Sequence, residues 1–339
     1  MKYTTRILDD SKESVAFAAG LLNQGEVVAI PTETVYGLAA NALDADAVAK
    51  IFIAKGRPSD NPLIVHIASM DMLDGLVREI PPLALKCADA FWPGPLTMIM
   101  PKADVIPAVT SGGLDTVGVR MPSHMTARTI IEKCGLPLAA PSANISGSPS
   151  PTTAKHVLDD MDGRIPCIID GGFSAVGIES TVIAFENDGI RLLRPGFISV
   201  EDLKTVTDNV LIDEGVLNML DNDAVVASPG MKYKHYSPDA EVILIDSDTD
   251  AFRDYVSHHA DSDTWFMTFS DGDLEGLDVN FISYGTTDSE QAHLLFDVLR
   301  RIDNMGAKTV FARCPKKTGV ALAVYNRILR SAGFRVIKL

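Results

Sequence analysis

The order of apolar and polar residues along the first two hundred positions predicts strands that alternate with helices. Short apolar runs bounded by Gly, Pro and polar residues are typical of buried strands. We predict such strands at residues 27–30, 63–67, 96–100, 117–121, 138–140, 167–170 and 181–185. A helix is predicted over residues 44–55, because its apolar side chains share one face and Gly56 provides a stop. Asp10 is the predicted N-cap of an earlier helix.

The last hundred residues show the same alternation more regularly. Strands are predicted at residues 242–246, 265–269, 281–284, 309–312 and 335–338, with helices over residues 249–259, 289–305 and 319–331. Strands that alternate with helices of this length form mostly parallel sheets with right-handed crossovers. We therefore expect two α/β domains, over residues 1–207 and 240–339.

Residues 208–239 separate the two predicted domains and lack a regular pattern. The segment begins acidic and ends in the run SPGMKYKHYSP, in which Pro and Gly act as breakers. A passive linker would be rich in Gly, Ser or Pro, whereas this one concentrates cationic and aromatic side chains. We expect residues 229–238 to fold over a functional site as a lid.

Composition and charge exclude several classes of protein. The 339 residues are 46% hydrophobic and 22% charged, as in an ordinary globular enzyme, and no apolar run reaches the ~18 residues of a membrane span. The polar start lacks a signal-peptide pattern and the four cysteines form no CxxC pair, so we expect a cytoplasmic protein with reduced thiols. Acidic residues outnumber basic ones by 45 to 30, which argues against a general nucleic-acid-binding surface.

Polar clusters follow the predicted strands, where α/β sheets build their ligand sites. The sequence contains no phosphate-binding GxxxxGK[ST] loop, no GxGxxG, no HExxH and no GxSxG. Each cluster alone is equally consistent with an ordinary turn or helix cap. The clusters are PTETVYGL (31–38), KGRPSDNPL (55–63), SGGLDTVGVRMP (111–122), PSANISG (141–147), EST (179–181) and RPG (194–196).

Three cationic side chains in these clusters indicate which ligand or partner each cluster could bind. Lys55 at a helix end would complement the helix dipole, but Arg57 lies beyond Gly56 in the loop. A mobile cation beside a planar guanidinium suits a triphosphate. Arg120 falls within an apolar strand, where an unpaired charge would cost several kcal/mol. It therefore needs a carboxylate, either from this chain or from a substrate.

Read in order, these clusters, together with FWPGPLT (91–97) and SPGMKYKHYSP, resemble the threonylcarbamoyl-AMP synthases of the two-domain type. The resemblance covers essentially the whole chain. It implies a YrdC-like twisted mixed open sheet with helices, followed by a small Rossmann-like α/β domain with a mostly parallel sheet. It also implies a nucleotidyltransferase that condenses L-threonine, bicarbonate and ATP to threonylcarbamoyl-adenylate and pyrophosphate, with Mg²⁺ held mainly by the ATP phosphates.

The resemblance also implies a place in tRNA modification and a set of site residues. A separate tRNA threonylcarbamoyl-transferase complex would move the group onto the adenosine beside the anticodon, so direct tRNA binding by this chain is expected to be weak or absent. The implied catalytic residues are Lys55 and Arg57. The implied L-threonine-binding residues are Thr34, His66, Arg120, Ala140 and Ser180. The implied ATP-binding residues are Arg57, Asn61, Thr116, Ser142, Ser150, Arg194 and Tyr236.

Two alternatives stay open. One is carbamoyl-adenylate chemistry on another acceptor, as in related domains of hydrogenase maturation, although the zinc-finger and acylphosphatase-like segments found there do not occur in this sequence. The other is a non-catalytic RNA-binding or ribosome-assembly module, which would need a basic face that the sequence does not show.

Overall fold

The computed structural model describes residues 3–186, 189–218 and 236–339. Within these ranges the chain forms two compact units, one of residues up to 146 and 150–218, the other of residues 147–149 and 236–339. The predicted lid, residues 229–238, falls outside the described residues except for its last three positions. The predicted boundaries at 207 and 240 stay predictions.

The first unit alternates strands and helices. Its strands are β1 (Arg6–Leu8), β2 (Val28–Ile30), β3 (Gly37–Asn41), β4 (Ile64–His66), β5 (Leu96–Pro101), β6 (Thr116–Arg120), β7 (Leu138–Ala139), β8 (Cys167–Ile169), β9 (Thr181–Glu186), β10 (Gly189–Arg194) and β11 (Val210–Ile212). Its α-helices are α1 (Lys12–Asn23), α2 (Ala45–Lys55), α3 (Pro82–Phe91), α4 (Ala108–Ser111), α5 (Met125–Cys134), α6 (Ala154–Met161) and α7 (Val200–Leu203).

The strands of the first unit form one mixed sheet. The strand order is β1-β8-β2-β3-β7-β4-β6-β5-β9-β10-β11. The pairs β2–β3, β3–β7, β4–β7, β5–β6 and β9–β10 are antiparallel, and the other neighbours run parallel. The predicted mixed α/β sheet is therefore confirmed.

Hydrophobic cores cover both faces of this sheet. Successive residues of β2 alternate between them, since Ala29 joins one apolar cluster while Val28 and Ile30 join the other. Helix α2 packs in the first cluster, and helices α1 and α5 pack in the second. With both faces buried, the polar residues that follow the strands collect at the sheet's edges and loops.

Local capping explains where the predicted helices begin and end. Asp44 accepts hydrogen bonds from the backbone at the start of α2, and Gly56 adopts a left-handed φ of 61° at its end, as expected from the sequence. The predicted cap of α1 is wrong. Ser11, not Asp10, accepts from the Ser14 backbone N–H, because the helix begins one residue later.

Two strands of the first unit do not follow from the sequence pattern. Strand β3 is built from Gly-Leu-Ala-Ala-Asn, which contains no β-branched or aromatic residue. Strand β11 lies within the range expected to be a linker, and it pairs in parallel with β10 at the end of the sheet.

The second unit carries a smaller sheet whose paired strands all run parallel. Its elements are β12 (Glu241–Asp246), α8 (Thr249–His259), β13 (Thr264–Thr268), β14 (Phe281–Ser283), α9 (Asp288–Asn304), β15 (Thr309–Arg313), α10 (Ala321–Ser331) and β16 (Val336–Lys338). The strand order is β14-β13-β15-β12-β16. This confirms the predicted small α/β domain with a mostly parallel sheet.

The cysteines and the helix lengths complete the description. All four cysteines are free, and burial raises the pKa of the Cys87, Cys167 and Cys314 thiols to about 11. Burial also raises the pKa of Cys134. Among the described residues, no helix is both long enough and apolar enough to cross a membrane.

Candidate active site

The centre of the candidate site is Arg120, the last residue of β6, which is buried. Its guanidinium lies 2.7 Å from the carboxylate of Glu33, donates to Thr34 Oγ1 at 2.8 Å and donates to the Gly94 carbonyl at 3.3 Å. Glu33 and Thr34 come from the loop between the antiparallel strands β2 and β3. Glu33 of this chain thus supplies a carboxylate partner for Arg120, which is one of the two sources that the sequence left open.

Glu33 keeps its negative charge although it is buried. Burial alone would raise the pKa of the Glu33 carboxyl, but the charge and hydrogen bonding of Arg120 hold that pKa below its usual value, with help from the Ser123 backbone. The pair is therefore a buried ion pair, and removing either partner would leave a buried charge uncompensated.

His66 ends strand β4, in register with Arg120 on the neighbouring strand β6. Burial, and then the positive charge of Arg120, lower the pKa of His66 to about 3. The imidazole is therefore neutral at physiological pH, with Nδ1 3.2 Å from the Ile64 carbonyl oxygen. A neutral imidazole offers one donor and one acceptor, which suits a hydroxyl group better than a carboxylate.

Ser180 reaches this cluster through Thr97, a residue that the sequence analysis missed. Thr97 on β5 is paired in register with Arg120, and its Oγ1 lies 2.8 Å from Ser180 Oγ. Arg194 binds Ser180 twice, donating to its carbonyl and to its hydroxyl at 3.1 Å each. Ala140 follows β7, and its N–H donates to the Ile64 carbonyl of β4 at 3.0 Å.

These contacts bring the predicted threonine-binding residues onto adjoining elements. The strands involved, β7, β4, β6, β5 and β9, are consecutive neighbours in the sheet. Thr34 contacts Arg120 directly, His66 lies opposite it in register, and Ser180 connects to the same strand pair through Thr97. The missed residue had a sequence signal, because Thr97 is a lone hydroxyl in an otherwise apolar strand.

Lys55, predicted to be catalytic, binds the loop that follows β7. Its Nζ donates to the Ser142 carbonyl at 2.5 Å and to the Asn144 carbonyl at 2.8 Å. Only 2% of Lys55 is exposed. The ammonium thus holds in place a loop that contains Ser142, one of the predicted ATP-binding residues.

The other predicted ATP-binding residues differ from one another in their burial and their contacts. Arg57 follows α2 and lines a surface depression with Phe52 and Val109. Asn61 is buried, and its Oδ1 accepts no hydrogen bond from the residues that the structure describes. Ser150 is also buried and donates to Glu179 at 2.5 Å.

Thr116 and Tyr236 complete the predicted set. Thr116 is the first residue of β6, at the opposite end of the strand from Arg120. Tyr236 belongs to the second unit, where its ring lies 5.3 Å from that of Phe296 and 5.7 Å from the guanidinium carbon of Arg327. Its backbone is left-handed, with a φ of 64° that costs a non-glycine residue about 1 kcal/mol or more.

Comparison with known proteins identifies the family. The family model described as "Telomere recombination" matches residues 20–196, and the model described as "Threonylcarbamoyl-AMP synthase, C-terminal domain" matches residues 198–333. The threonylcarbamoyl-AMP synthase of Pyrococcus abyssi is 45% identical over 329 residues, 96% of each chain. The chain belongs to the threonylcarbamoyl-AMP synthase family. It is therefore an enzyme, of the transferase class, and the resemblance found in the sequence is confirmed.

Other members of the threonylcarbamoyl-AMP synthase family match nearly the whole chain. The protein of that name from Bacillus subtilis is 42% identical over 338 residues, 98% of this chain and 96% of its own. The crystal structure of Pyrococcus abyssi Sua5 complexed with L-threonine is 44% identical, covers 99% of each chain and has a TM-score of 0.92. The structure of a doubly substituted variant of the same protein has a TM-score of 0.93.

Proposed function

We propose that this enzyme condenses L-threonine, bicarbonate and ATP to threonylcarbamoyl-adenylate, with release of pyrophosphate and water. The observation that carries the proposal is the buried cluster of Arg120, Thr34, His66 and Ser180, in a chain 44% identical over 99% of its length to a protein crystallised with L-threonine. Its relatives from Pyrococcus abyssi and Bacillus subtilis are threonylcarbamoyl-AMP synthases, which supports this product.

The threonine side of the proposed site combines charge with neutral hydrogen-bonding groups. The guanidinium of Arg120 suits the substrate carboxylate, because its planar donors match two carboxylate oxygens. The hydroxyls of Thr34 and Ser180 and the neutral imidazole of His66 can each bind the substrate amine or hydroxyl. Ala140 would contribute a backbone group to the threonine side of the site.

The proposed reaction has two steps. The threonine ammonium first loses a proton, the free amine attacks the carbon of bicarbonate or of CO₂ derived from it, and a carbamate forms with the loss of one water overall. A carbamate oxygen then attacks the α-phosphorus of ATP, and the bond from that phosphorus to the pyrophosphate oxygen breaks. Carbamates revert readily in water, so a site that excludes water is required. The transfer needs positioning and charge neutralisation, and no covalent intermediate with the protein.

The ATP side would be formed by the other predicted residues. Arg57 and Arg194 would neutralise phosphate charge, and Lys55 would act at least by holding the loop of Ser142. Contacts to the nucleotide would also come from Asn61, Thr116 and Ser150.

We place Mg²⁺ on the ATP phosphates, as part of the substrate. Within the described ranges, no group of three or more His, Cys, Asp or Glu side chains is placed to hold a metal ion. Mg²⁺ commonly keeps several waters and is bound largely through substrate phosphates. In that position it would neutralise the leaving pyrophosphate.

The product of this reaction requires an acceptor, which we propose is tRNA. A separate transferase complex would move the threonylcarbamoyl group onto the adenosine beside the anticodon, in the cytoplasm. With 45 acidic and 30 basic residues, the chain has little attraction for a polyanion. A gel shift with tRNA should therefore show weak binding or none.

Pyrophosphate release tests the proposal. The enzyme is supplied with ATP and Mg²⁺, with and without L-threonine and bicarbonate, beside an Arg57→Ala variant. The matched control is Arg78→Ala, because Arg78 is an exposed arginine of the same unit. Release that requires both threonine and bicarbonate, is lost in Arg57→Ala and is retained in Arg78→Ala supports the proposal. Release with another acceptor in place of threonine would support the alternative carbamoyl-adenylate chemistry, and no release with any amino acid would favour RNA binding.

A further inference from the structure

We propose that Glu33 is a positioning residue that sets the affinity of the site for the amino-acid carboxylate, by neutralising and orienting Arg120. The inference rests on the proposed function, in which Arg120 binds that carboxylate. It goes beyond the predicted binding residues, since Glu33 acts through another side chain.

The contacts of Arg120 show how it is oriented. A guanidinium has five N–H groups. Two of them donate hydrogen bonds within the described part of the chain, to Thr34 and to Gly94, and Nη2 forms an ion pair with Glu33 at 2.7 Å. Because each of its three nitrogens contacts a different residue, the guanidinium is held in one orientation before any substrate binds. The Nη2 group makes no hydrogen bond to the residues that the structure describes, so its N–H groups can donate to a ligand.

The charges around Arg120 show how this arrangement affects the binding of a carboxylate. Arg120 and Glu33 together are neutral, and His66 carries no charge. An incoming carboxylate is therefore attracted by Arg120 and repelled by Glu33 within the same buried region. In a protein interior this repulsion is strong, because the effective dielectric constant is well below that of water. Glu33 thus stabilises the empty site and weakens carboxylate binding.

The Glu33→Gln variant separates this role from packing. The amide keeps the shape and one acceptor oxygen, so Arg120 stays in place while the opposing charge is lost. We expect threonine to bind on the order of tenfold more tightly by calorimetry, with the KM for ATP unchanged. The melting temperature of the free enzyme should fall, and threonine should raise it by more than in the unsubstituted enzyme.

Two controls make the result specific. Threoninol lacks the carboxylate, so its binding should not become tighter in Glu33→Gln. Asp273→Asn removes the carboxylate from the Arg313–Asp273 pair of the second unit, where the oxygen and nitrogen lie 3.0 Å apart. This variant should have a lower melting temperature, but threonine should raise that temperature by as much as in the unsubstituted enzyme. Weaker or unchanged threonine binding in Glu33→Gln, or an equal change for threonine and threoninol, would overturn the proposal.

A double variant covers the case in which Glu33→Gln does not fold. Replacing both partners, Glu33→Gln with Arg120→Gln, removes the uncompensated charge and should restore folding. If the double variant also fails to fold, Glu33 does not act by compensating Arg120, and the proposal is wrong. Failure of the proposed function looks different: the unsubstituted enzyme would then show neither threonine binding nor threonine-dependent pyrophosphate release.

Discussion

The ammonium of Lys55 lies 2.8 Å from the backbone oxygen of Asn144, so a lysine at the end of α2 anchors the loop that follows β7. A second bond from the same ammonium reaches the Ser142 carbonyl. Buried cations hydrogen-bonded to several oxygens fix their surroundings strongly. Lys55 of the KGRPSDNPL cluster therefore holds the PSANISG loop in place.

Replacing Lys55 by Met should release this loop. The apolar side chain has a similar length but cannot donate, so we expect the free energy of unfolding to fall by about 3 kcal/mol and the KM for ATP to rise more than tenfold. Lys50→Met is the matched control. Lys50 lies on the same helix in a partly exposed pair with Glu26, and its loss should cost less than about 1 kcal/mol. A lower kcat with an unchanged KM for ATP would instead place Lys55 on the phosphates alone.

The depressed pKa of His66 predicts how stability depends on pH. The unfolded chain protonates this histidine below about pH 6.5, whereas the folded chain resists protonation until about pH 3. The unfolded state therefore binds more protons between these values, and stability falls as the pH falls. Between pH 7 and pH 5 the unsubstituted protein should lose about 2 kcal/mol more than His66→Gln.

Urea unfolding at the two pH values measures this difference. In a Trp265→Phe background, Trp92 is the only tryptophan, so its fluorescence reports on the first unit alone. Equal losses with and without His66 would mean that the imidazole is protonated in the folded protein.

Thr97 should matter for threonine although it is fully buried. Thr97→Val keeps the shape but removes the hydroxyl that partners Ser180, so we expect kcat/KM for threonine to fall by about threefold to tenfold. Thr97→Ser keeps the hydroxyl and should stay closer to the unsubstituted value. An equal loss in both variants would assign the effect to packing of the methyl group.

Gly196 is required by a close approach between two backbones. A Cβ at this position would overlap the Thr181 N atom and lie 2.7 Å from the Ser180 carbonyl carbon. Gly196→Ala should therefore lower the free energy of unfolding by about 3 kcal/mol and displace Ser180. As a control, Gly20→Ala places its Cβ in open space on helix α1 and should stabilise the protein by about 0.5–1 kcal/mol. Thermal unfolding of the two variants checks both signs.

Elements with strong local signals were predictable from the sequence. Helix α2 has Asp44 and Gly56 at its ends, and helix α8 follows its predicted span. Strand β3 was not predictable, because its alanines carry no strand preference and its burial comes from neighbours distant in sequence.

The candidate site was predictable in its residue types but not in its pairings. The sequence shows that Arg120 needs a carboxylate, but Glu33 is one acidic residue among 45 and meets Arg120 only when the loop after β2 reaches β6. The contact between Thr97 and Ser180 depends in the same way on the order of strands in the sheet. The physical reason is that long-range pairing is set by topology, whereas capping and periodicity are local.

The raised thiol pKa values described above have a practical consequence for labelling. Thiol reagents attack the thiolate, and all four native cysteines hold their protons well above neutral pH. Maleimide dyes should therefore label the unsubstituted chain very little. A single cysteine introduced at an exposed position, such as Ile53 on α2, would take up one fluorophore beside Arg57 without the removal of any native cysteine.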